Sequence, residues 1–395
     1  MSARVIAFLS DIHIGDNAPT NWYQRDVHEG MLLAAFEHLI ARDDLAEVII
    51  LGDLIDQWTY VPDRRPPTLE EIAAANPAIF GATGALARLA AHTSLTLLPG
   101  NHDMALGHQP GALAKVIGAP VNQPSGVVYK PAAAQGQLVC THGHIYSMFN
   151  APDLLASPGD GLPIGHFITR LSALHANQQL KAGQTVADLP HNGDPNGLGL
   201  LGDAFEQIIV SYKDDNSSLA EVTIRTLVEA VGGTLDLTFD MLDGTRITAT
   251  EVIARYANLH ANYDKVASGS KRLYGTDPGV RALLDTDVAH SIEHFAEVLS
   301  DKYTMIVMGH THEPVDHRDG TWSFRADYVY ANSGFNCPSK VDMNNPDKPR
   351  HGTFIEVTID DTARTLSSAV RFVDLSEGTP KVADKTLDTR QIAMR

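Results

Sequence analysis

Five short, largely apolar segments of this chain are each followed by side chains that can bind a metal ion. The segments cover residues 5–9, 47–51, 95–98, 138–140 and 305–308. Apolar runs of this length are typical of strands that are buried on both faces of a sheet. The side chains that follow them are Asp11 and His13, Asp53, Asn101 and His102, His142, and His310 and His312. Because open α/β sheets bind ligands beyond the carboxyl ends of their strands, the pattern predicts one common site.

The order of helical and strand patterns predicts an α/β fold that a helical segment interrupts. Apolar positions over residues 31–40 follow helical spacing, and a second helix is predicted over residues 81–91. Such alternation with strands implies parallel pairing and right-handed crossovers. We expect an α/β core at 1–144 and 301–376, a mainly helical insertion at 145–300, and a polar C-terminal tail at 377–395 whose composition indicates disorder.

Charge and cysteine content limit the partners and the compartment. The formal net charge of −18 repels nucleic acid and anionic membrane surfaces, although bound metal ions can reverse the sign locally. Two cysteines in 395 residues suit a reducing compartment. We find neither a secretory signal pattern nor a run of about 18 apolar residues that could span a membrane. The sequence predicts a soluble cytoplasmic protein without a membrane partner, and it argues against a nucleic-acid substrate.

The types of polar residue favour borderline divalent cations. Imidazole nitrogens bind Zn, Fe and Mn, and carboxylate oxygens suit Mn and Fe as well. In Asp11-x-His13 and in His310-x-His312, the two side chains project to the same side of an extended segment. Each pair can hold one metal ion or be divided between two, and the spacing leaves both arrangements open.

The polar blocks form an ordered series of motifs. They are Asp-x-His at 11–13, Gly-Asp-x-x-Asp at 52–56, Gly-Asn-His-Asp at 100–103, His142, and Gly-His-x-His at 309–312. This series resembles that of the calcineurin-like metallophosphoesterases, and every block is present without a substitution. The resemblance covers about residues 1–144 and 301–376 and leaves the insertion unexplained. It implies a four-layer sandwich of two mixed β-sheets flanked by helices, with two metal ions at the strand ends.

The resemblance also implies a role for each polar residue. The implied ligands are Asp11, His13 and His312 for one metal ion, Asn101, His142 and His310 for the other, and Asp53 as the bridge between them. His102 is implied as the general acid, and Asp56 as the residue that orients it. The implied cofactors are two divalent metal ions, with Mn as the first choice and Fe or Zn as alternatives.

The implied reaction is hydrolysis of a small-molecule phosphate ester, either a monoester or a diester. A hydroxide that bridges the two metal ions would attack in line with the leaving group, and His102 would protonate the leaving oxygen. The two cations outweigh the carboxylates of Asp11 and Asp53, so an acidic protein can still bind a phosphate. Two alternatives are a nuclease of the same fold and a non-catalytic scaffold that retains the fold for binding partners.

Residues next to the motifs have roles that the sequence leaves open. His144 fits a position behind the ligands or facing the substrate, and a plain surface role fits equally well. Asp103 is expected to support its loop. Trp22 and Tyr23 fit either a cap over the substrate or local packing. All histidines outside the motifs, such as His175, are interpreted as ordinary.

Two segments depart from the pattern of the family. In Asn332-Ser333-Gly334, Ser replaces the Pro of the closing Asn-Pro-Gly segment. We expect this replacement to affect loop rigidity and not a ligand. The insertion at 145–300 begins and ends beside predicted ligands of the second metal ion. We expect it to form a helical cap that shapes substrate access. A dimer interface is the alternative, and the oligomeric state stays open.

Overall fold

The computed structural model of the chain describes residues 3–189, 204, 207–208, 218–266, 299, 302–312, 314, 328–335, 352–375 and 378–395. Its helices are α1 (Arg25–Ile40), α2 (Leu69–Ala75), α3 (Pro77–Phe80), α4 (Ala85–His92), α5 (Ala112–Ile117), α6 (Gly165–Gln179), α7 (Leu219–Ala230), α8 (Ala249–Arg255) and α9 (Leu259–Val266). Its strands are β1 (Arg4–Leu9), β2 (Leu45–Leu51), β3 (Ser94–Leu98), β4 (Val128–Tyr129), β5 (Leu138–Thr141), β6 (Thr238–Asp240), β7 (Arg246–Thr248), β8 (Met305–Met308), β9 (Val329–Asn332), β10 (Phe354–Asp360), β11 (Thr365–Arg371), β12 (Val373–Asp374), β13 (Lys381–Val382) and β14 (Asp388–Ala393). Within the described part of the chain, no helix combines the length and the apolar character needed to cross a membrane.

Two mixed sheets form the core of the fold. The larger sheet has the strand order β14-β11-β10-β1-β2-β3, and the smaller sheet has the order β4-β5-β8-β9. Strands β1, β2 and β3 are parallel to one another, whereas β10, β11 and β14 join the same sheet through antiparallel pairs. In the smaller sheet β5, β8 and β9 are parallel, and β4 is antiparallel to β5. The predicted mixed α/β class is therefore confirmed.

The two sheets share one hydrophobic cluster. Phe8 and Leu51 contribute to it from the larger sheet, and Cys140 and Val307 contribute from the smaller sheet. The opposite face of the larger sheet packs against α1 and α4. Burial on both faces explains why these strands are largely apolar in sequence. The outer face of the smaller sheet contacts Leu299, whose chain neighbours lie outside the described residues, so the four-layer arrangement stays a prediction.

The C-terminal segment is part of the larger sheet. Strand β14 pairs with β11 in antiparallel register, from Thr365 opposite Ala393 to Val370 opposite Asp388. The expectation of a disordered tail at 377–395 is therefore wrong for the residues from 388 to 393. The polar composition has a physical reason, because β14 is an edge strand and most of its side chains are exposed or half-buried.

The insertion shares a hydrophobic cluster with part of the core. Helices α6, α7 and α8 pack together around Phe167, Leu227 and Val252, and Trp58 and Met104 of the core belong to the same cluster. Besides these helices, β6 and β7 of the insertion form an antiparallel hairpin that the sequence does not predict. The hairpin adds Phe239 and Ile247 to the cluster. This shared cluster packs the insertion against the core.

One buried arginine of α6 joins the insertion to the core. The side chain of Arg170 is fully buried, and its nitrogens lie 2.6–3.2 Å from backbone carbonyl oxygens of both parts. The acceptors are Tyr60, Val61, Pro62 and Arg64 in the core and Asp240 in the insertion. The loop at 60–64 begins four residues after Asp56, the last residue of the Gly-Asp-x-x-Asp motif. Arg170 therefore fixes the insertion next to the predicted site.

Candidate metal centre

The ends of β1, β2 and β8 bring the first group of predicted ligands together. One ligand atom from each of Asp11, His13, Asp53 and His312 lies within 4.8 Å of the others, and all four side chains are buried. The Nε2 atoms of His13 and His312 are 3.0 Å apart. Two ligands at right angles around an ion, each at roughly 2.1 Å, would be about 3 Å apart. The observed spacing suits a shared cation.

The ends of β2, β3, β5 and β8 form the second group. Ligand atoms of Asp53, His142 and His310 also lie within 4.8 Å of one another. Asn101 joins them, because its Oδ1 is 3.2 Å from Nε2 of His142. Asp53 belongs to both groups, which is the position that a bridging carboxylate requires. The structure thus brings all seven predicted ligands to one place.

The hydrogen bonds of these residues leave ligand atoms free for cations. Oδ2 of Asp53 is buried and accepts no hydrogen bond from the described residues. Nδ1 of His142 is 2.8 Å from the carbonyl oxygen of Leu51 and can only donate to it, which leaves Nε2 as the lone-pair atom. Imidazole, carboxylate and amide donors in this number fit two divalent cations. We conclude that the site fits the implied metal pair.

Several ligands have a strained backbone. The φ angles of Asp11, His13, Asp53, His310 and His312 are all positive, between 55° and 74°. This left-handed region is uncommon for residues other than glycine and carries a cost of order 1–3 kcal/mol at each position. Hydrogen bonds between the loops hold it in place, such as the 2.8 Å bond from the backbone N of His310 to Oδ1 of Asp11. In these strained turns, the ligand side chains have directions that a regular strand end would not give them.

The glycine of each motif provides space for a ligand on a neighbouring strand. A Cβ atom added to Gly100 would be 2.8 Å from both Cγ and the backbone N of Asp53. The same atom on Gly309 would be 2.9 Å from Oδ2 of Asp11, and on Gly52 it would be 2.8 Å from Cβ of His142. These distances are too short for non-bonded atoms. Each glycine is therefore required by the packing of the ligands.

We expect Gly100→Ala to displace Asp53 and to weaken metal binding by roughly 10- to 100-fold, the range seen when groups that orient ligands are lost. Isothermal titration of the metal-free protein with Mn²⁺ measures this change. Gly107→Ala is the matched control, because its Cβ would meet Cγ of Pro99 at 3.5 Å, an ordinary contact. Equal Mn²⁺ affinities for the two variants would contradict the role assigned to Gly100.

The predicted acid His102 is held by the predicted orienting residue Asp56. Nδ1 of His102 is 3.1 Å from Oδ1 of Asp56 and donates to it. Asp56 is fixed in turn by the backbone N–H groups of Trp58 and Thr59 at 2.7 and 3.0 Å and by the Thr59 hydroxyl at 2.8 Å. This network fixes the tautomer of His102 and leaves Nε2 as its second ring nitrogen.

The charges around His102 favour its protonated form. Burial alone would favour the neutral imidazole, but the carboxylates of Asp56 and Asp53 outweigh it and raise the pKa of His102. Burial also disfavours an ionised Asp56, yet the facing imidazoles of His102 and His13 hold the pKa of Asp56 well below its usual range. These surroundings favour an imidazolium that faces a carboxylate, which suits proton donation.

A proton competes with a cation at His142. Burial favours the neutral ring, but the Asp53 carboxylate outweighs it and raises the pKa of His142 to about 9. Burial lowers the pKa of His13 to about 4, so this ligand is already neutral at neutral pH. A cation held by His142 would therefore displace this proton, so its binding should strengthen as pH rises.

Two tryptophans surround the ring of His102. Trp58 stacks on it, with ring centroids 4.5 Å apart and an angle of 27° between the planes. The ring of Trp22 lies 5.0 Å from His102 and 4.8 Å from His13, and it is only 5% exposed. Tyr23 is buried beside His28, at 5.5 Å between ring centroids. Tyr23 therefore packs locally, whereas the Trp22 ring lies beside the predicted acid and a predicted ligand.

The serine that replaces proline contacts a ligand through one intermediate. The hydroxyl groups of Ser333 and Ser10 are hydrogen-bonded to each other, and the Ser10 hydroxyl donates to Oδ2 of Asp11. Proline has no group that could take part in this chain of bonds. The expectation that the replacement affects only loop rigidity is therefore wrong.

Asp103 and His144 are both buried beside the ligands. The carboxylate of Asp103 accepts hydrogen bonds from the backbone N of Gly100 at 2.6 Å and of Leu54 at 2.8 Å, so it ties two ligand-bearing loops together. His144 is buried, with its ring 5.3 Å from that of His142 and 6.4 Å from that of His310. A surface position for His144 is thereby excluded.

The structure places one further histidine beside the site, at a position where the sequence predicts an ordinary residue. His166 of α6 is buried, and its ring meets the edge of Trp58 at a centroid distance of 5.7 Å. It lines a cavity of about 850 Å³ that also includes His102. Neither helical spacing nor a motif could identify His166, because its position depends on how the insertion packs against the core.

Ligand groups from two mixed sheets share one buried carboxylate, and a histidine–aspartate pair lies beside them. In the comparison with family models, residues 4–176 match the family described as Calcineurin-like phosphoesterase. This match supports the family predicted from the motif order. It covers the ligands from Asp11 to His142, whereas His310 and His312 lie outside it. The comparison with curated proteins gave no match.

Proposed function

We propose that the chain hydrolyses phosphate esters with two bound divalent metal ions and with His102 as the general acid. The observation that carries the proposal is the sharing of Asp53 between the two ligand groups, next to the His102–Asp56 pair. The proposed substrate is a small-molecule phosphate ester, and Mn²⁺ is the proposed metal because the donors combine carboxylate, amide and imidazole. The scarcity of cysteine is the basis for proposing a cytoplasmic location.

Different residues of the chain have different roles in the proposed reaction. When bound, two divalent cations supply a hydroxide near neutral pH and neutralise charge on the phosphate. Asp11, His13, Asp53, Asn101, His142, His310 and His312 hold the two positions. Asp56 keeps the His102 ring in one orientation and in its charged form. His102 donates its proton to the leaving oxygen from Nε2, which is the ring nitrogen not engaged by Asp56.

Metal removal and reconstitution test this proposal. Mn²⁺-loaded protein is expected to cleave 4-nitrophenyl phosphate or its bis ester, to lose this activity after dialysis against a chelator, and to regain it with Mn²⁺. Elemental analysis of the active protein should give two metal ions per chain. Protein that carries two metal ions and cleaves neither ester would contradict the proposal. Protein that binds no metal would instead favour the non-catalytic scaffold.

A further inference from the structure

We infer that the cavity between the insertion and the core binds the organic leaving group of the phosphate ester, and that this group is uncharged or positively charged. The inference rests on the proposed function, because it names the part of the substrate that lies beyond the phosphate. His102 lines the cavity together with residues of the insertion, such as Leu162 and His166. A leaving group that receives a proton from His102 would therefore occupy this space.

The size and the inner wall of the cavity suit an organic group. Its volume of about 850 Å³ lies within the range of roughly 300–1,000 Å³ that is usual for small-molecule sites. The inner wall contains the buried side chains of Trp58, Met104 and Leu162. This wall can contact an apolar or aromatic face that is larger than the phosphate itself.

His166 provides an unused polar group in the same wall. It is only 3% exposed, and neither of its ring nitrogens has a hydrogen-bond partner among the described residues. Burial holds the pKa of His166 well below its ordinary value, so the ring is neutral and offers one donor and one acceptor. A buried polar group without a partner is costly, and a ligand that bonds to it removes this cost.

The charges at the rim determine which groups can enter. The acidic residues that line the cavity are Glu70, Asp160, Asp243 and Glu251, whereas the positively charged ones are Arg246, Arg255 and the imidazolium of His102. Arg246 is also paired with Asp240 of β6. The rim therefore has an excess of negative charge, which repels a leaving group that carries a carboxylate or a further phosphate.

Direct binding of leaving-group alcohols tests the inference without relying on catalysis. We would titrate the protein with three fluorescent alcohols that share one ring system: 2-naphthol, 6-hydroxy-2-naphthoate and (6-hydroxy-2-naphthyl)trimethylammonium. We expect saturable binding of 2-naphthol and of the cation, and binding of the carboxylate that is weaker by about tenfold. Glu70→Lys should reduce this difference, because it reverses one of the negative charges that line the cavity. The replacement should not disturb the fold, since Glu70 is exposed and lies outside the Thr68–Glu71 capping box of α2.

His166→Phe separates a ligand-binding role from a structural one. The replacement keeps the aromatic ring against Trp58 and removes two nitrogens that have no partner, so the free energy of unfolding should not fall. The affinity for 2-naphthol should fall by about three- to tenfold, as expected for one lost hydrogen bond. His175→Phe, on the same helix but outside the cavity lining, is the control and should bind 2-naphthol like the unchanged protein.

The outcomes distinguish this inference from the proposed function. Hydrolysis of 2-naphthyl phosphate without binding of 2-naphthol, or with a KM that is unaffected by His166→Phe, would overturn the inference and leave the proposed function intact. Binding of 2-naphthol that depends on His166, in protein that hydrolyses no ester, would contradict the proposed function and the assignment to a leaving group. Tighter binding of the carboxylate than of the cation would overturn the proposed selectivity.

Discussion

His102→Asn is expected to lower kcat by about 10²- to 10⁴-fold for esters with poor leaving groups, the usual contribution of a general acid. An aliphatic alkoxide cannot leave without a proton, whereas 4-nitrophenolate can. The loss should therefore be large for an alkyl phosphate and small for 4-nitrophenyl phosphate. Steady-state kinetics on the two esters measures the difference, and elemental analysis should still find two metal ions, since His102 is not among their ligands.

The pH dependence gives an independent check on His102. The active form is the imidazolium, so kcat for an alkyl ester should fall as pH rises through the pKa of His102. Asp56→Asn removes the nearer of the two carboxylates that raise this pKa, so the alkaline limb should move to lower pH. An equal loss of kcat for both esters in His102→Asn, or an unmoved alkaline limb in Asp56→Asn, would contradict proton donation by His102.

Arg170→Met is expected to lower the free energy of unfolding by several kcal/mol, because each buried acceptor left unpaired costs about 1–3 kcal/mol. The variant leaves the buried carbonyl groups of Tyr60 and Pro62 and the partly buried carbonyl group of Asp240 without this donor. Methionine fills part of the space but offers no hydrogen bond. Equilibrium unfolding in urea, monitored by circular dichroism, measures the loss.

The matched control is an arginine on the surface of the same insertion. Arg225→Met removes a pair with Glu221 on α7, four residues apart, in which Arg225 is 46% exposed. Such pairs contribute about 0.3–0.5 kcal/mol, so this variant should differ little from the unchanged protein. Similar unfolding midpoints for the two variants would show that Arg170 does not join the insertion to the core.

The metal ligands could be predicted from the sequence because each lies no more than four residues beyond the end of an apolar strand. Because the strand ends meet at one edge of the fold, residues that directly follow different strands come close together, as Asp53 after β2 and His142 after β5 do. The family resemblance supplied the assignment of ligands to two metal positions. The left-handed backbone at Asp11 or His310 could not be foreseen, since nothing in a polar residue type requires it.

Features that depend on packing between distant segments could not be predicted. Ser333 acts on Asp11 through Ser10 only because two loops more than 300 residues apart in sequence meet. His166 has an ordinary sequence context and becomes notable only beside Trp58. Strand β14 could not be predicted from the sequence, because edge strands are exposed on one side and show little apolar character.

The position of β1 determines when the metal centre can form during synthesis. Residue Arg4 of β1 lies opposite Ile359 of β10, so the ribosome must add more than 350 residues before the centre of the larger sheet is complete. Until then, one edge of β1 is unpaired and open to other chains, while the insertion can already pack against Trp58 and Met104, which precede it in the chain. The nascent protein therefore carries Asp11 and His13 long before His310 and His312 have been synthesised. The unpaired edge of β1 has most need of chaperones during this interval.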